Sequence, residues 1–555
     1  MWWTSIALAA GAPRTVVVLY NADVPESLAV AEHYVEARPG AHLCPVRVDP
    51  TVVDLPFAEF ADLIRSPLDS CLAGEPEIST IVTVRGLPNR VALESGVASL
   101  EAVLQVGHAA DLAGNEVASA PQGFSASQLN PMFSGGFAQA GDFVLSNLYE
   151  GSYQASPGVV REEQLPIGFE RSKAESAGGT DYAGELFLVG RLDGFDYDDA
   201  HSLIERSIAA EAALPTAPML CMHGADEARG ARDPECEYAT RMLALAGVPT
   251  LWIDPWDAGL AGHEVMAWMS GADNAIGAID GNTYAPGAIV DNLTSYGAVP
   301  QNFVCSEDGL TCPAAESQTS IARWVRAGAT LVHGTVEEPL NNAFPNASLL
   351  LFYAAGYSAG ESALFAQRFL HWHNLWLGDP MTTPYATRPT VQFAPEVVDG
   401  SEFVVTASHP DGIYTLRLWV DGAEVAAAFG EELRYPLNGL GAHEVYAEAA
   451  AGNHTWRHPA WPVAESVVRA RTAGWISGTV TVTEAEAPIL EDTGGDVVEE
   501  EEPAGCGCAV GPAGNAAPAL IVGLVALAAI RRRGRLEQMG LEPTTSRMPF
   551  WRSPS

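Results

Sequence analysis

Two nucleophilic side chains and three imidazoles stand out among the residues that perform chemistry in proteins. Ser295 and Cys305 lie ten residues apart, and His223, His263 and His333 fall in loops that would converge on one edge of a sheet. A hydroxyl or thiol attacks a carbonyl only when a nearby base accepts its proton, and histidine is the usual base. The set is therefore a candidate site for acyl transfer. The alternative, which is the commoner use of these residue types, is that Cys305 forms a disulfide with Cys312 and that each histidine packs in the core or lies on the surface.

Charged residues at the ends of predicted strands form a second candidate set. Loops at the carboxyl ends of strands gather ligands in open α/β sheets, and arginines bind carboxylates in such clefts. The same residue types also form turns, helix caps and structural ion pairs, and this is the interpretation we favour. The set consists of Arg85, Arg191, Asp193, Glu337, Glu338 and Asp379.

Tryptophans and a histidine pair offer two further hypotheses. Exposed tryptophans would serve as stacking platforms for carbohydrate, but core packing is their commoner use. His371 and His373 would point about 200° apart on a helix, which argues against a metal pair. The sequence therefore predicts no metal and no cofactor. The tryptophans concerned are Trp252, Trp256, Trp268, Trp324, Trp372 and Trp376.

The charge balance limits the classes of partner. The 555 residues include 69 Asp and Glu against 29 Lys and Arg, for a formal charge of -40. Such a surface repels nucleic acid and anionic lipid, so we expect no nucleic-acid partner. A hydrophobic content of 48% can supply a large core, and the length predicts two or three domains.

Six of the eight cysteines lie in the body of the chain, without the CxxC spacing of a zinc site. In an oxidising compartment they would form disulfides, whereas in the cytosol they would be buried thiols. Proximity along the chain favours three pairs, although six cysteines allow about 15 connectivities. The pairs are Cys44 with Cys71, Cys221 with Cys236, and Cys305 with Cys312.

Apolar runs alternate with helical patterns from residue 13 to residue 388. The runs at 15–20, 80–84, 186–189 and 330–332 are continuous, as is typical of strands buried on both faces of a parallel sheet. Helical spacing follows the first run at 25–38 and the third at 198–212. The alternation predicts an α/β domain with a mainly parallel sheet flanked by helices.

A second, all-β domain is predicted for residues 389–470. Residues 403–407 and 415–420 alternate with a period of two, and the turn pairs Asp421-Gly422 and Asn438-Gly439 are typical of hairpins. The phrases at 418–422 and 441–447 resemble those of immunoglobulin-like modules on exported bacterial proteins, which implies a small β-sandwich. Residues 471–503 are acidic and contain few large apolar side chains, so we expect a disordered spacer there.

The two ends of the chain predict export. Residues 1–12 are a short apolar stretch that ends in Ala10-Gly11-Ala12, which has the pattern of a signal-peptide cleavage site. The stretch lacks a basic start, and a buried first strand is the alternative. Residues 504–535 combine Gly505-Cys506-Gly507-Cys508, an uncharged hydrophobic segment at 516–530 and a cluster of arginines. That segment is shorter than the ~20 residues that span a bilayer comfortably, and its basic flank would stay in the cytoplasm.

This layout resembles the MYXO-CTERM sorting signal of myxobacterial exported proteins. The resemblance implies a transmembrane helix that contacts the membrane before processing, and a sorting protease or lipid-processing machinery that acts on Cys506 or Cys508. Arg531, Arg532 and Arg533 would form the basic flank. The mature protein would then be retained in the cell envelope, at the outer membrane or cell surface. An ordinary tail anchor is the alternative, and residues 536–555 are an extension that the pattern does not explain.

Five phrases of the α/β part match a known group of bacterial proteins. They are VRGLPNRV at 84–91, VGRLDG at 189–194, WVRAGA at 324–329, GTVEEP at 334–339 and WLGDP at 376–380. Over residues 15–385 the chain resembles an uncharacterised bacterial family found with exosortase-type sorting systems. That family is distantly similar to gingipain-type cysteine peptidases, and the resemblance implies a caspase-like fold.

In gingipain-type peptidases a histidine follows one central strand and the catalytic cysteine follows the next. Aligned on that pattern, Ala272 replaces the histidine and Ser295 replaces the cysteine. A serine without an adjacent base is a poor nucleophile, so the peptidase mechanism does not carry over.

These observations predict an exported, surface-retained protein with a binding or envelope-associated role, no peptidase activity and an unidentified ligand. One alternative is a divergent cysteine- or serine-type hydrolase that uses Ser295 or Cys305 with a histidine from another loop. The other is a carbohydrate-binding envelope protein.

Overall fold

The computed structural model describes most of the α/β and β parts of the chain. The described residues are 12–107 except 76 and 95, then 130, 133, 137–138, 142–143, 173–174, 184–256, 261–305, 318–453 and 470–485. Residues 1–11 of the predicted signal peptide and residues 486–555 lie outside them. The predicted sorting residues therefore also lie outside: Cys506, Cys508, Arg531, Arg532 and Arg533.

Strands and helices alternate along the first part of the chain. A π-helical segment at Ala61–Arg65 joins the second and third helices. In order, the elements are β1 (Val16–Asn21), α1 (Pro25–Ala37), β2 (His42–Val46), β3 (Asp54–Pro56), α2 (Phe57–Phe60), α3 (Ser66–Leu72), β4 (Thr80–Val84), β5 (Arg90–Leu93), β6 (Gly96–Ser99), α4 (Leu100–Gln105), β7 (Phe137–Ala138), β8 (Asp142–Phe143), β9 (Lys173–Ala174), β10 (Gly184–Glu185), β11 (Leu188–Leu192), α5 (Tyr197–Ala210), β12 (Met219–Met222), α6 (Asp233–Leu245), β13 (Thr250–Ile253), β14 (Glu264–Ser270), α7 (Ile276–Gly281), β15 (Thr283–Asn292), α8 (Ile321–Arg326), β16 (Leu331–Thr335), α9 (Ser348–Ala354), α10 (Ala359–Ala366) and β17 (Asn374–Leu377).

Ten of these strands form one large sheet within the described part of the chain, in the order β13-β12-β14-β15-β16-β17-β11-β4-β1-β2. The strands from β13 to β16 pair in parallel, as do β11, β4, β1 and β2, whereas β17 runs antiparallel to β16. Parallel strands end at the same edge, so the loops after β12, β14, β15 and β16 lie side by side. Arg90 Nη1 donates to Val336 O at 3.3 Å, which brings the segment after β4 to the loop after β16.

The apolar runs form central strands because both faces of the sheet are covered by helices and loops. In β1, Val17 and Leu19 belong to one buried cluster, and Val16 and Val18 belong to the cluster on the opposite face. Alternate side chains of a strand point to opposite faces, so a strand buried on both faces has a continuous apolar sequence. The prediction of a mainly parallel sheet flanked by helices is confirmed.

Two separate, mostly antiparallel sheets follow. One has the order β18-β20-β23 and the other β19-β25-β24-β21-β22. Phe403 and Val405 from the first sheet share a buried core with Leu418, Ala447 and Val480 from the second. The strands are β18 (Thr390–Phe393), β19 (Glu396–Val398), β20 (Glu402–Ser408), β21 (Thr415–Val420), β22 (Ala423–Ala428), β23 (Glu432–Pro436), β24 (Gly441–Asn453) and β25 (Ala470–Thr483).

The prediction of a transmembrane helix requires correction. Across the residues that the structure describes, none of the helices has both the length and the apolar character needed to cross a membrane. The hydrophobic segment at 516–530 lies outside the described residues.

The cysteines of the body differ in state. Cys44 and Cys71 form a disulfide between β2 and α3, as their proximity predicts. Cys305 is also disulfide-bonded. Cys221 and Cys236 are buried free thiols, so the bridge predicted between them is not formed in the structure.

Candidate functional site

Ser295 lies in the loop that follows β15, at the carboxyl edge of the sheet. Its Oγ donates a hydrogen bond to Glu338 Oε1 at 3.0 Å, and Glu338 belongs to the loop after the neighbouring strand β16. Tyr296 has a φ of 58°, in the left-handed region that non-glycine residues seldom adopt. A hydrogen bond from Tyr296 to Glu338 raises the pKa of the tyrosine. Glu338 is exposed, so two hydroxyls meet one carboxylate at the surface.

Gln318 links the Ser295 loop to the loop after β12. Its Oε1 accepts from the backbone N–H of Ser295 at 2.6 Å and from the Thr294 hydroxyl. Arg229, from the loop after β12, donates to the same oxygen at 3.4 Å through Nη2. Arg229 also pairs with Asp226 in its own turn. These bonds hold the two loops together across the end of the intervening strand β14.

His223 and Asp233 form a second polar pair at this edge. His223 follows β12 directly, and its Nδ1 lies 2.6 Å from Asp233 Oδ2 at the start of α6. The Gly224 N–H donates to the other carboxylate oxygen at 3.0 Å. Burial raises the pKa of Asp233, although the Gly224 N–H and His223 oppose the shift. The His223 side chain is 46% exposed, so its Nε2 is free to meet a ligand from solvent.

Residues 271–274, which follow β14 between these two loops, include no histidine. Ala272 follows β14 and is fully buried, and its N–H donates to Asn292 Oδ1 at 2.9 Å. Asn292 Nδ2 donates back to Ala272 O at 2.8 Å. These two bonds fix the backbone of residue 272 to the end of β15, the strand that leads to Ser295. The strand order places β14 between β12 and β15, and Ser295 Oγ bonds to Glu338 rather than to His223.

His333 belongs to the buried core of the sheet. Its Nδ1 lies 2.9 Å from Asp291 Oδ1 and its Nε2 lies 3.0 Å from Asn374 Oδ1, so both ring nitrogens are occupied. Arg232 forms an ion pair with the other oxygen of Asp291. Burial alone would raise the pKa of Asp291, but the charges of Arg232 and His333 hold it below its usual value. Arg232 also donates to Ser270 O at 2.8 Å and to Pro345 O at 2.9 Å, so this buried cluster ties the ends of β14 and β15 to the segments after β12 and β16.

The two remaining candidates for acid–base or nucleophilic chemistry lie elsewhere or are blocked. His263 precedes β14, so it lies at the amino end of the strand, opposite to the edge that carries Ser295. Cys305 is disulfide-bonded and has no thiol to offer. Of the five residues proposed for acyl transfer, the structure brings only Ser295 and His223 to one edge of the sheet.

Arg85, Arg191 and Asp193 form a buried network on the other half of the sheet. Asp193 accepts from Arg85 Nη1 at 2.6 Å and from Arg191 Nε at 2.7 Å, and Arg191 also pairs with Glu101 at 3.1 Å. Burial would raise the pKa of Asp193, but the guanidiniums of Arg191 and Arg85 lower it below its usual value. Arg191 further donates to Leu87 O at 2.7 Å, so the network fixes the loop after β4.

Glu337 and Asp379, the other acidic candidates, are not close partners. Glu337 lies 3.6 Å from Arg90 and its side chain is 41% exposed, beside Glu338 at the carboxyl edge. Asp379 is fully buried after β17 and accepts from Tyr34 and from Arg38, which ends α1. The structure therefore assigns Asp379 to an internal ion-pair network and Glu337 to the surface.

The tryptophans and the histidine pair are mainly internal. Trp268, Trp324, Trp372 and Trp376 are buried, and Trp252 and Trp256 pack against the cores. Trp419, in the sandwich, is 3% exposed and lies under Arg14. His371 and His373 are both buried, and burial lowers the pKa of each to about 4. In the described residues no group of three or more His, Cys, Asp or Glu is arranged to hold a metal.

Comparison with known proteins leaves the family open. No family model and no curated protein matches the chain. A solved structure of a protease is similar over 84% of this chain and 97% of its own, at 10% identity and a TM-score of 0.42. Fibronectin(III)-like modules of Clostridium thermocellum CbhA are similar over 21% of this chain and 56% of theirs, at 17% identity and a TM-score of 0.13. Similarities at this level establish neither a fold family nor an activity.

Sequence reasoning missed three residues that build the site: Arg229, Asp233 and Gln318. Asp233 opens a helix with Pro234 after it, a helix-start pattern that the sequence shows plainly. Nothing in that pattern says that His223, ten positions earlier, will be its partner. Gln318 and Arg229 meet because the strand order brings their two loops together, and that order cannot be read from the sequence.

Proposed function

We propose that the α/β part is a ligand-binding domain of caspase-like fold without peptidase activity. The observation that carries the proposal is the chemistry at the ends of β14 and β15. Ser295 Oγ has a carboxylate partner, Glu338 at 3.0 Å, and the end of the adjacent strand is the buried methyl group of Ala272. Among the described residues no imidazole accepts the Ser295 proton, and the exposed carboxylate of Glu338 is a weaker base than histidine for making the hydroxyl a nucleophile at neutral pH.

The cysteines of the described residues support the same proposal. Cys305, Cys44 and Cys71 are disulfide-bonded, and Cys221 and Cys236 are buried. A thiol peptidase needs an accessible thiolate beside a histidine. None of these five cysteines supplies one.

The ligand would bind at the carboxyl edge, the usual position of ligands in open α/β sheets. The groups available there are the exposed ring of His223, the carboxylates of Glu337 and Glu338, and the hydroxyls of Ser295 and Tyr296. They offer hydrogen-bond acceptors and net negative charge to a polar ligand. The two following sheets would form an immunoglobulin-like module that carries this domain.

A serine-type hydrolase at the same edge is the second candidate. Two observations favour it: the contact between Ser295 and Glu338, and the His223–Asp233 pair with an exposed imidazole. For that chemistry His223 would have to move next to Ser295, or Glu338 would have to accept the proton itself. Carbohydrate binding is less favoured, because the described tryptophans pack in the cores.

The cellular part of the proposal is export and retention at the cell envelope. The tail at 504–535 supports it through the sequence alone, with Cys506 or Cys508 as the residue that a sorting protease or lipid-processing machinery would modify. The disulfide between Cys44 and Cys71 fits an oxidising compartment.

Covalent probes test the biochemical part of the proposal. We expect that neither a fluorophosphonate nor an iodoacetamide probe labels the native α/β part stoichiometrically at one residue, because Ser295 has no histidine partner among the described residues and the described cysteines are bonded or buried. Labelled peptides would be identified by mass spectrometry. Ser401→Ala, in a turn of the sandwich, is the matched control. Stoichiometric labelling that is lost in Ser295→Ala and kept in Ser401→Ala would contradict the proposal that the domain binds a ligand without peptidase activity.

A further inference from the structure

His33 and His201 form a pair of facing imidazoles on two neighbouring helices. His33 lies on α1 and His201 on α5, and their ring centroids are 5.1 Å apart with an angle of 60° between the rings. Both side chains are half-buried, so a small solute reaches them from solvent. Neither ring is hydrogen-bonded to another described residue, whereas His223, His333 and His443 each contact a carboxylate. The pair therefore keeps its ring nitrogens available for a ligand.

The packing of α1 against α5 fixes the position of the pair. The helices run in the same direction, because each follows a strand of the parallel half of the sheet. Arg38, at the end of α1, donates to Ser207 Oγ on α5 at 3.4 Å and to Glu211 Oε1 at 2.8 Å. His33 is five residues before Arg38 and His201 is six before Ser207. At a rise of about 1.5 Å per residue, both imidazoles lie about 8 Å back from this contact, at the same height.

We propose that His33 and His201 bind a transition-metal ion of the Zn²⁺ class between α1 and α5. Imidazole is a common protein ligand for Zn²⁺ and its neighbours in the first transition row. With Zn–N bonds of about 2.0 Å and a tetrahedral angle of about 109°, two coordinated imidazole rings have centres about 5 Å apart. The observed separation of the rings is 5.1 Å. The torsion about the Cβ–Cγ bond of histidine has broad minima, so each ring can turn a nitrogen to the ion.

The charge around the pair favours a cation. Asp198 lies three residues before His201 and Glu205 four residues after it, so both carboxylates share its face of α5 and interact with its ring. On α1, Glu36 lies three residues after His33. Negative potential raises the local concentration of counter-ions. The described residues contain no group of three or more such ligands arranged around one point, so water completes the coordination of the ion.

Zinc titration of the full chain tests the proposal. ZnCl₂ is titrated into wild type, His33→Gln and His201→Gln by isothermal titration calorimetry in a buffer that does not chelate metals. We expect each variant to lose this site or to bind its ion at least about tenfold more weakly, because one of two protein ligands is gone. Any zinc site formed by Cys506 and Cys508 is present in every protein and cancels in the comparison. His443→Gln is the control and should bind zinc as the wild type does.

Footprinting of the wild type with diethyl pyrocarbonate supplies a second test that does not depend on how the variants fold. The reagent acylates accessible neutral imidazoles, and mass spectrometry locates the modified residues. We expect Zn²⁺ to protect both His33 and His201 and to leave the modification of His443 unchanged. Equal modification of His33 and His201 with and without Zn²⁺, or equal zinc binding by wild type and both variants, would overturn the proposal.

Discussion

Replacing Asp379 by alanine is expected to lower the free energy of unfolding by about 3–5 kcal/mol, the cost of removing one partner of a buried ion pair. Asp379 is fully buried and accepts from Tyr34 Oη at 2.9 Å, Arg38 Nε at 2.8 Å and Ser207 Oγ at 3.0 Å. Arg38 is also fully buried and would keep Glu211 as its counter-charge. Its Nε would lose its acceptor, and a buried donor without an acceptor is costly.

Urea denaturation followed by circular dichroism measures this effect. Glu402→Ala is the matched control, since Glu402 pairs with Arg434 at 3.0 Å and both side chains are more than half exposed. Surface pairs of this kind contribute little, so the control should leave the unfolding midpoint nearly unchanged. Equal midpoints for the two variants would show that the Asp379 network does not stabilise the fold.

Replacing Glu448 by glutamine is expected to stabilise the protein above neutral pH. Glu448 is 3% exposed on β24, and its Oε2 accepts from Tyr446 Oη at 3.1 Å. Arg417, opposite it on β21, is bonded to Glu424 at 3.0 Å. Burial raises the pKa of Glu448 to about 7, against the weaker effects of Arg417 and Tyr446 in the other direction.

The direction of the pH dependence follows from that shift. A glutamate in the unfolded chain has a pKa of about 4.3, so the folded protein binds this proton more tightly than the unfolded chain does. The wild-type protein then loses stability as the pH rises from about 4 to about 7, by about 3 kcal/mol in total at about 1.4 kcal/mol per pKa unit. Below about pH 4 both states are protonated and the Glu448 effect vanishes.

Unfolding free energies of wild type and Glu448→Gln between about pH 4 and pH 8 check this expectation. The variant should gain about 3 kcal/mol over wild type at the upper end and nothing at the lower end. Glu444→Gln is the control, because Glu444 is exposed on the same strand. A constant difference between wild type and Glu448→Gln at every pH would contradict a raised pKa in the folded protein.

Local sequence patterns predicted four of the ten strands of the large sheet, since the apolar runs overlap β1, β4, β11 and β16. The run at 80–84 is β4 at the same bounds, and the run at 15–20 overlaps β1 closely. Such strands are recognisable because burial on both faces requires continuous apolar residues. The period-two stretch at 415–420 is likewise β21 at the predicted bounds.

Long-range polar contacts were not predictable from the sequence. Asp379 and Arg38 are separated by 341 positions, and no local sequence pattern around either residue identifies the other as its partner. A usable signal does exist at Asp291 and Arg191, each a charged residue inside an apolar strand. A charge in such a position must have a buried counter-charge, although the sequence does not say which one.

The candidate site was predictable only in part for the same reason. The resemblance to gingipain-type peptidases placed Ala272 and Ser295 after neighbouring strands, and Ser295, Glu338 and His223 were all named from the sequence. The contact of Ser295 with Glu338, and the distance that the strand order imposes between Ser295 and His223, depend on the sheet topology. His263 is excluded from the candidate site because it lies at the amino end of β14. His333 is excluded because it lies in the buried core, bonded to Asp291.

Hydrolysis of an unbiased peptide library is the decisive test for peptidase activity at the carboxyl edge. The purified full chain would be incubated with the library at neutral pH beside its Ser295→Ala variant, and new peptide ends would be counted by mass spectrometry. We expect wild type and variant to give the same background of cleavage. Cleavage by the wild type that disappears in Ser295→Ala would contradict it and would make Ser295 the nucleophile of a hydrolase.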